Sequence, residues 1–164
     1  GTLMPRLEGW WGHDAASRFN MDPEFIPMPT AEAWQLSNAP VLNMAVHKVA
    51  LDLFEEAGMG ALRERSLRLT AYLEQVVHCV AQRTGTDLEI LTPNDPAQRG
   101  CQLSIVAHGH GRSLFDHLMA QGVVVDWREP AVIRMAPVPL YNSFEDIARF
   151  GKVLEDGLLA HGQG

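Results

Sequence analysis

Lysine is almost missing from this sequence: Lys48 and Lys152 are the only two in 164 residues. Both fall on polar helix faces. Lys48 precedes Asp52 by four residues, a favourable pairing along one helix face, and Lys152 shares its side of the last predicted helix with Arg149, Glu155 and Asp156. A lysine that forms imines must be desolvated so that its pKa falls, so neither is expected to do that chemistry. Cysteine is as scarce. Cys79 and Cys101 cannot build a disulfide framework, and free buried thiols in a reducing cytoplasm are expected. A basic surplus is also lacking. The formal net charge is -7 with no basic stripe, so no nucleic-acid partner is expected. No apolar run approaches a membrane span, so no membrane partner is expected either. The signatures G-x-S-x-G, P-loop and G-x-G-x-x-G after a strand are all absent. The chain has seven histidines. His108 and His110 stand two apart and His117 follows a helix later, but no carboxylate or cysteine lies beside them at ligand spacing. "AHGHGR" therefore reads as a solvated glycine-rich turn, and no metal is expected.

What is present is an ordinary globular composition, 46% hydrophobic and 20% charged, enough for one sizeable core. Residues 1–39 read as irregular, with prolines and glycines and little periodicity. The chain opens on Gly1 with two tryptophans before any regular pattern, which suggests a piece of a longer protein. Pro40 then opens a helix whose stripe is Val41, Leu42, Ala45, Val46, Val49, Ala50, Leu53 and Phe54. A second helix spaces Leu62, Ser66, Leu69, Leu73, Val76 and Val80 in a heptad-like seam and ends near Gly85. "LEILTP" and "CQLSIVA" read as strands, "SLFDHLMAQG" as a short helix, and "VVVDWRE" and "VIRMAP" as two more strands. A last helix starts at "NSFEDI" with Ser143 as N-cap, and buries Phe144, Ile147, Phe150, Leu154 and Leu158. The order predicts an α+β fold: two long helices, then a small, mostly antiparallel sheet covered by helices. Residues 40–164 would form that domain.

Three signals remain. In "AVIRMAPVPL", alternation puts Val132, Arg134 and Ala136 on one face of a strand and Ile133 and Met135 on the other. A guanidinium stays charged among such neighbours and needs an anion. The anion is either a structural carboxylate, with Asp126 and Glu129 closest in sequence, or a ligand; pattern alone favours the ion pair. In "GWWGH", Trp10 and Trp11 are either core aromatics or indole N–H donors suited to an anion such as phosphate. The flanking Gly9 and Gly12 would let a ligand approach the backbone. In "LSNAP", Ser37 or Asn38 could simply cap the helix that follows.

Together, "PRLEGWWGHDAASRFNM", "QLSNAPVL", "RGCQLSI" and "IRMAPVPLYNSFEDI" resemble kynureninase, the pyridoxal-phosphate hydrolase of tryptophan breakdown. The resemblance runs in order along nearly the whole chain and is looser through residues 59–95. It covers the C-terminal part of that family. It implies the small C-terminal domain of a fold-type I (aspartate-aminotransferase-like) enzyme, pyridoxal 5'-phosphate as cofactor, and a homodimer with sites built between subunits. It also implies that the lysine binding the cofactor lies in an N-terminal cofactor domain outside these residues, so no catalytic residue is expected here and the chain alone would be inactive. The implied reaction hydrolyses L-kynurenine, or its 3-hydroxy form, to anthranilate or 3-hydroxyanthranilate and L-alanine. By the same resemblance, Trp10 donates to the cofactor phosphate across the subunit interface. Asn38 contacts the cofactor–substrate region across it, and Arg134 binds the substrate α-carboxylate rather than a permanent structural partner. Two other readings stay open: another fold-type I enzyme such as a cysteine desulfurase relative, and a free-standing amino-acid-binding or dimerisation module.

Overall fold

Apolar residues at alternating intervals of three and four give a helix one continuous buried stripe, and residues 62–80 follow that spacing. The computed structural model describes residues 5–161. Among them are α1 (Val41–Ala57), α2 (Met59–Thr84), β1 (Leu88–Ile90), β2 (Leu103–Ala107), α3 (Gly111–Ala120), β3 (Asp126–Arg128), β4 (Val132–Met135) and α4 (Phe144–His161). The strands form one sheet in the order β1-β2-β4-β3, every neighbouring pair antiparallel. The expected α+β architecture is present. The chain forms two compact units, Gly1–Leu53 and Phe54–Gly164.

The second unit is a helix layer on a sheet. Leu69, Leu73, Val77 and Val80 of α2, Leu114 and Leu118 of α3, and Ile147, Phe150, Leu154 and Leu158 of α4 share one core with Leu103, Ile105, Ile133 and Met135 of the sheet. Burying each such side chain contributes roughly 1.5–3 kcal/mol, so this layer holds the unit together. The seam differs from expectation at one place: Val77 is fully buried, while Val76 packs at the edge of the core. A straight helix drifts against a strict seven-residue repeat, which carries the stripe one position round. Phe144 is likewise not buried; its ring meets Tyr72 edge-on at 5.6 Å.

Capping fixes the ends. Ser143 Oγ accepts from the Asp146 backbone N–H at 3.2 Å, and Asp146 Oδ2 accepts from the Ser143 N–H at 2.8 Å. This is a capping box with aspartate in the place usually taken by glutamate. At the other boundary α2 stops where Gly85 turns left-handed, φ +67°.

α1, whose residues up to Leu53 belong to the first unit, forms where periodicity places it but buries none of its residues. Leu42 is 82% exposed and Val46 73%. Periodicity specified the helix and not a cover for its apolar stripe. Ser37 and Asn38, weighed as caps, are exposed and donate or accept no side-chain hydrogen bond among the described residues; α1 starts directly after Pro40, whose carbonyl accepts from Met44 N–H at 2.9 Å. Cys79 and Cys101 are free, but Cys79 is exposed on α2, against the expectation of burial.

Candidate functional site

Trp10 and Asn38 both lie in the first unit, and two glycines bring their segments together. Trp10–Gly12 form a 3-10 turn, and Ala31–Trp34 form another. Gly9 packs against the backbone of Gln35 and Leu36, and Gly12 against that of Ala33, so closely that a Cβ at either would overlap those atoms. The sequence suggested that these glycines admit a ligand; in the structure they admit the chain's own backbone, and the "GWWGH" turn is seated on the segment leading to Asn38. Arg6 locks the same place. Its guanidinium stacks 4.5 Å from the Trp34 ring and 5.2 Å from Phe25, and donates to the Ala33 carbonyl.

His13 closes the turn. The Ile26 N–H donates to its Nδ1 at 3.3 Å, so Nε2 carries the proton and donates to Ser17 Oγ at 3.1 Å; that hydroxyl passes its own hydrogen to Asp14 Oδ2 at 3.1 Å. The tryptophans are not core residues. Trp11 lies under Arg18, 4.6 Å from the guanidinium carbon, and Trp10 meets Phe19 edge-on at 5.5 Å while remaining 44% exposed. Neither the Trp10 indole N–H nor the Asn38 amide has a hydrogen-bond partner among the described residues. A 250 Å³ cleft beside Trp10 is lined by Glu8, Asp22 and Glu24 together with Arg18 and is therefore acidic.

Arg134 lies in the second unit, on β4. Alternation is as read: Ile133 and Met135 are buried against the helices, and Val132 and Arg134 occupy the opposite, half-buried face. Cross-strand register places Ser104 on one side of Arg134 and Asp126 on the other. Asp126 Oδ2 accepts from Arg134 Nε at 2.8 Å and also from Nη2. Arg128, two residues along β3 and so on the same face, reaches Asp126 Oδ2 at 3.1 Å. The expectation that Arg134 has no structural partner is therefore corrected: the inter-strand ion pair is present. Its cause is the hairpin register, which sets Asp126 opposite Arg134, whereas Glu129 accepts instead from the Trp127 indole at 2.9 Å. The Arg134 hydrogen bond holds the Asp126 carboxyl below its ordinary value, with desolvation opposing and the Arg128 charge assisting. Two arginines and one aspartate leave the cluster with a net positive charge. Arg134 Nη1 has no partner among the described residues, and the side chain is 30% exposed.

Lys48 pairs with Asp52 at 2.7 Å in solvent. His108 pairs with Glu89 at 2.9 Å, and no group of three or more potential metal ligands occurs among the described residues. No described helix is long and apolar enough to cross a membrane. From the sequence, Asp126 was a candidate ion-pair partner for Arg134 and Arg128 had no role, although the spacing of Asp126 and Arg128 by two on a strand signals a shared face.

What this fold and site define is an α+β small domain with an arginine–aspartate–arginine cluster on the sheet face away from its core. Residues 62–154 match the family described as "Kynureninase C-terminal domain". The chain is 52% identical over 157 residues to a kynureninase of Christiangramia forsetii, covering 96% of this chain and 37% of that one. It is 56% identical over 155 residues to one of Xanthomonas euvesicatoria, covering 93% and 36%, and 49% identical over 156 residues to one of Flavobacterium psychrophilum, covering 95% and 37%. The chain belongs to the kynureninase C-terminal domain family and spans little more than a third of the length of these relatives.

Proposed function

We propose that this chain is the C-terminal part of a kynureninase, and that the complete enzyme, with pyridoxal phosphate, hydrolyses L-kynurenine, or its 3-hydroxy form, to anthranilate or 3-hydroxyanthranilate and L-alanine. The observation that carries this reading, beside the family, is the open edge of Arg134. A planar guanidinium binds a carboxylate through two parallel N–H donors, which fixes the orientation of the amino acid that bears it. Trp10 donates its indole N–H to the cofactor phosphate and Asn38 its amide to the cofactor–substrate region. Bound pyridoxal phosphate withdraws electrons from the bonds at the substrate Cα. The lysine that binds the cofactor belongs to an N-terminal cofactor domain outside these residues, so the chain alone is inactive.

The proposed assembly is a homodimer whose partner subunit completes the site. The uncovered apolar stripe of α1 supports the same assembly, because exposed aliphatic side chains at this density are the usual mark of an interface. Free Cys79 and Cys101 suit a reducing cytoplasm.

The test uses the full-length enzyme containing this chain. Arg134→Ala removes a charge-assisted contact of about 1.5–3 kcal/mol and should lower kcat/KM for kynurenine by roughly tenfold to hundredfold. Arg134→Lys keeps the charge and loses the fork, and should fall between. Near-normal kcat/KM with a collapsed melting temperature in either variant would make Arg134 structural and end this assignment.

A further inference from the structure

The geometry points to Asp126 as a positioning residue that holds the Arg134 guanidinium by one edge so that its other edge is presented to a ligand carboxylate. This inference rests on the carboxylate-binding reading of Arg134. A guanidinium has two edges that match a carboxylate, one formed by Nε with one Nη and the other by the two Nη nitrogens. Asp126 takes the first with a single oxygen, Oδ2, at 2.8 Å from Nε. The second edge keeps Nη1 without a partner among the described residues.

Asp126 is itself fixed. Arg128 grips the same oxygen at 3.1 Å from across one strand residue, and β3 is hydrogen-bonded to β4 with Asp126 directly opposite Arg134. The second arginine also decides the charge. Asp126 alone would cancel Arg134 and leave a neutral pair with little attraction for an anion. With Arg128 the group of three keeps one positive charge, enough to balance one carboxylate. Ser104, on the other flank of Arg134, does not replace Asp126: its hydroxyl is neutral, already accepts from Gln102 at 3.3 Å, and lacks the charge that strengthens a bond to a guanidinium. Without Asp126 the arginine is a flexible side chain on an open sheet face, free to turn its charge into solvent.

The contrasting arrangement is that Asp126 occupies the ligand's own place and must be displaced. The two are opposite in sign. If Asp126 positions the arginine, removing it weakens carboxylate binding; if it competes, removing it strengthens carboxylate binding. The experiment titrates the full-length, cofactor-loaded enzyme with kynurenine and with the corresponding amine that lacks the α-carboxylate, each by its effect on turnover and by cofactor absorbance. Asp126→Ala should reduce the preference for the carboxylate-bearing ligand about tenfold, the worth of one charge-assisted hydrogen bond, and leave the amine's affinity unchanged. Asp126→Asn keeps an acceptor facing Nε and should restore the preference to within about threefold of wild type. A preference that is unchanged or increased in Asp126→Ala overturns the inference, as does equal weakening of both ligands. Arg134→Ala, run in parallel, separates the two claims. If it leaves the preference intact, the carboxylate reading of Arg134 fails as well; if it abolishes the preference while Asp126→Ala does not, only the positioning role fails.

Discussion

Gly151 lies buried in the middle of α4, where a Cβ would stand 2.5 Å from Val76 Cγ1 of α2 and 3.9 Å from Val76 Cβ. Two effects oppose each other in Gly151→Ala. Alanine in a helix interior is better than glycine by roughly 0.5–1 kcal/mol. Forcing a methyl into a filled contact costs typically about 1–3 kcal/mol. Val76 decides the sum. A β-branched side chain in a helix has one strongly preferred χ1, so it cannot swing clear as a leucine could, and the overpacking cost sits high in its range. Gly151→Ala alone should therefore destabilise by about 1–2 kcal/mol. In a Val76→Ala background the obstructing methyls are gone and the propensity gain remains, so Gly151→Ala should stabilise that variant by roughly 0.5–1 kcal/mol. The coupling is then about 2 kcal/mol, within the range for residues in direct contact. Urea unfolding of the four proteins, followed by far-UV circular dichroism, measures it. If Gly151→Ala is neutral or stabilising with Val76 present, α2 and α4 do not meet as described.

Trp10→Phe in the full-length enzyme removes one donor and keeps the ring against Phe19. Pyridoxal-phosphate affinity should fall by about 1.5–3 kcal/mol with the melting temperature nearly unchanged, whereas unchanged affinity with a large loss of stability would return Trp10 to a packing role. The Asp146 carboxyl is held below its ordinary value of 3.8, first by the Ser143 backbone N–H, then by the Asn142 and Ser143 side chains. A depressed native pKa stabilises the fold above the ordinary value and loses that contribution as pH falls through the native one. The advantage of wild type over Asp146→Asn should thus be constant near neutrality and shrink progressively as pH falls below 3.8; an advantage that does not diminish in acid would show that the capping box is not the cause.

The order of elements could be read from the sequence because each signal is local. Leucines spaced by three and four along α2, alternation through Arg134, and Ser143 three residues before Asp146 need no knowledge of distant chain. The parts that could not be read depend on long-range pairing. Nothing near Gly9 or Gly12 announces that the backbone of Ala33 to Leu36 will lie against them, so a ligand and a neighbouring segment were equally compatible with the glycines. Arg134 had two acids within reach, and only the register of β3 on β4 chooses Asp126 over Glu129. The apolar stripe of α1 was legible as a stripe, and its exposure was not, because periodicity describes a surface without describing what meets it.

The edge strands have a consequence for solubility. β1 and β3, which end the sheet, are three residues each, and an exposed edge is a template on which a second chain can add a strand. On β3 two of the three positions are Asp126 and Arg128, joined to each other and to Arg134. A strand arriving at that edge would have to strip water from these charges and would pair only three residues in return. The cluster that holds Arg134 in place therefore also makes β3 a poor seed for edge-to-edge aggregation, and replacing Asp126 and Arg128 together by apolar residues would give up that protection as well as the arginine's support.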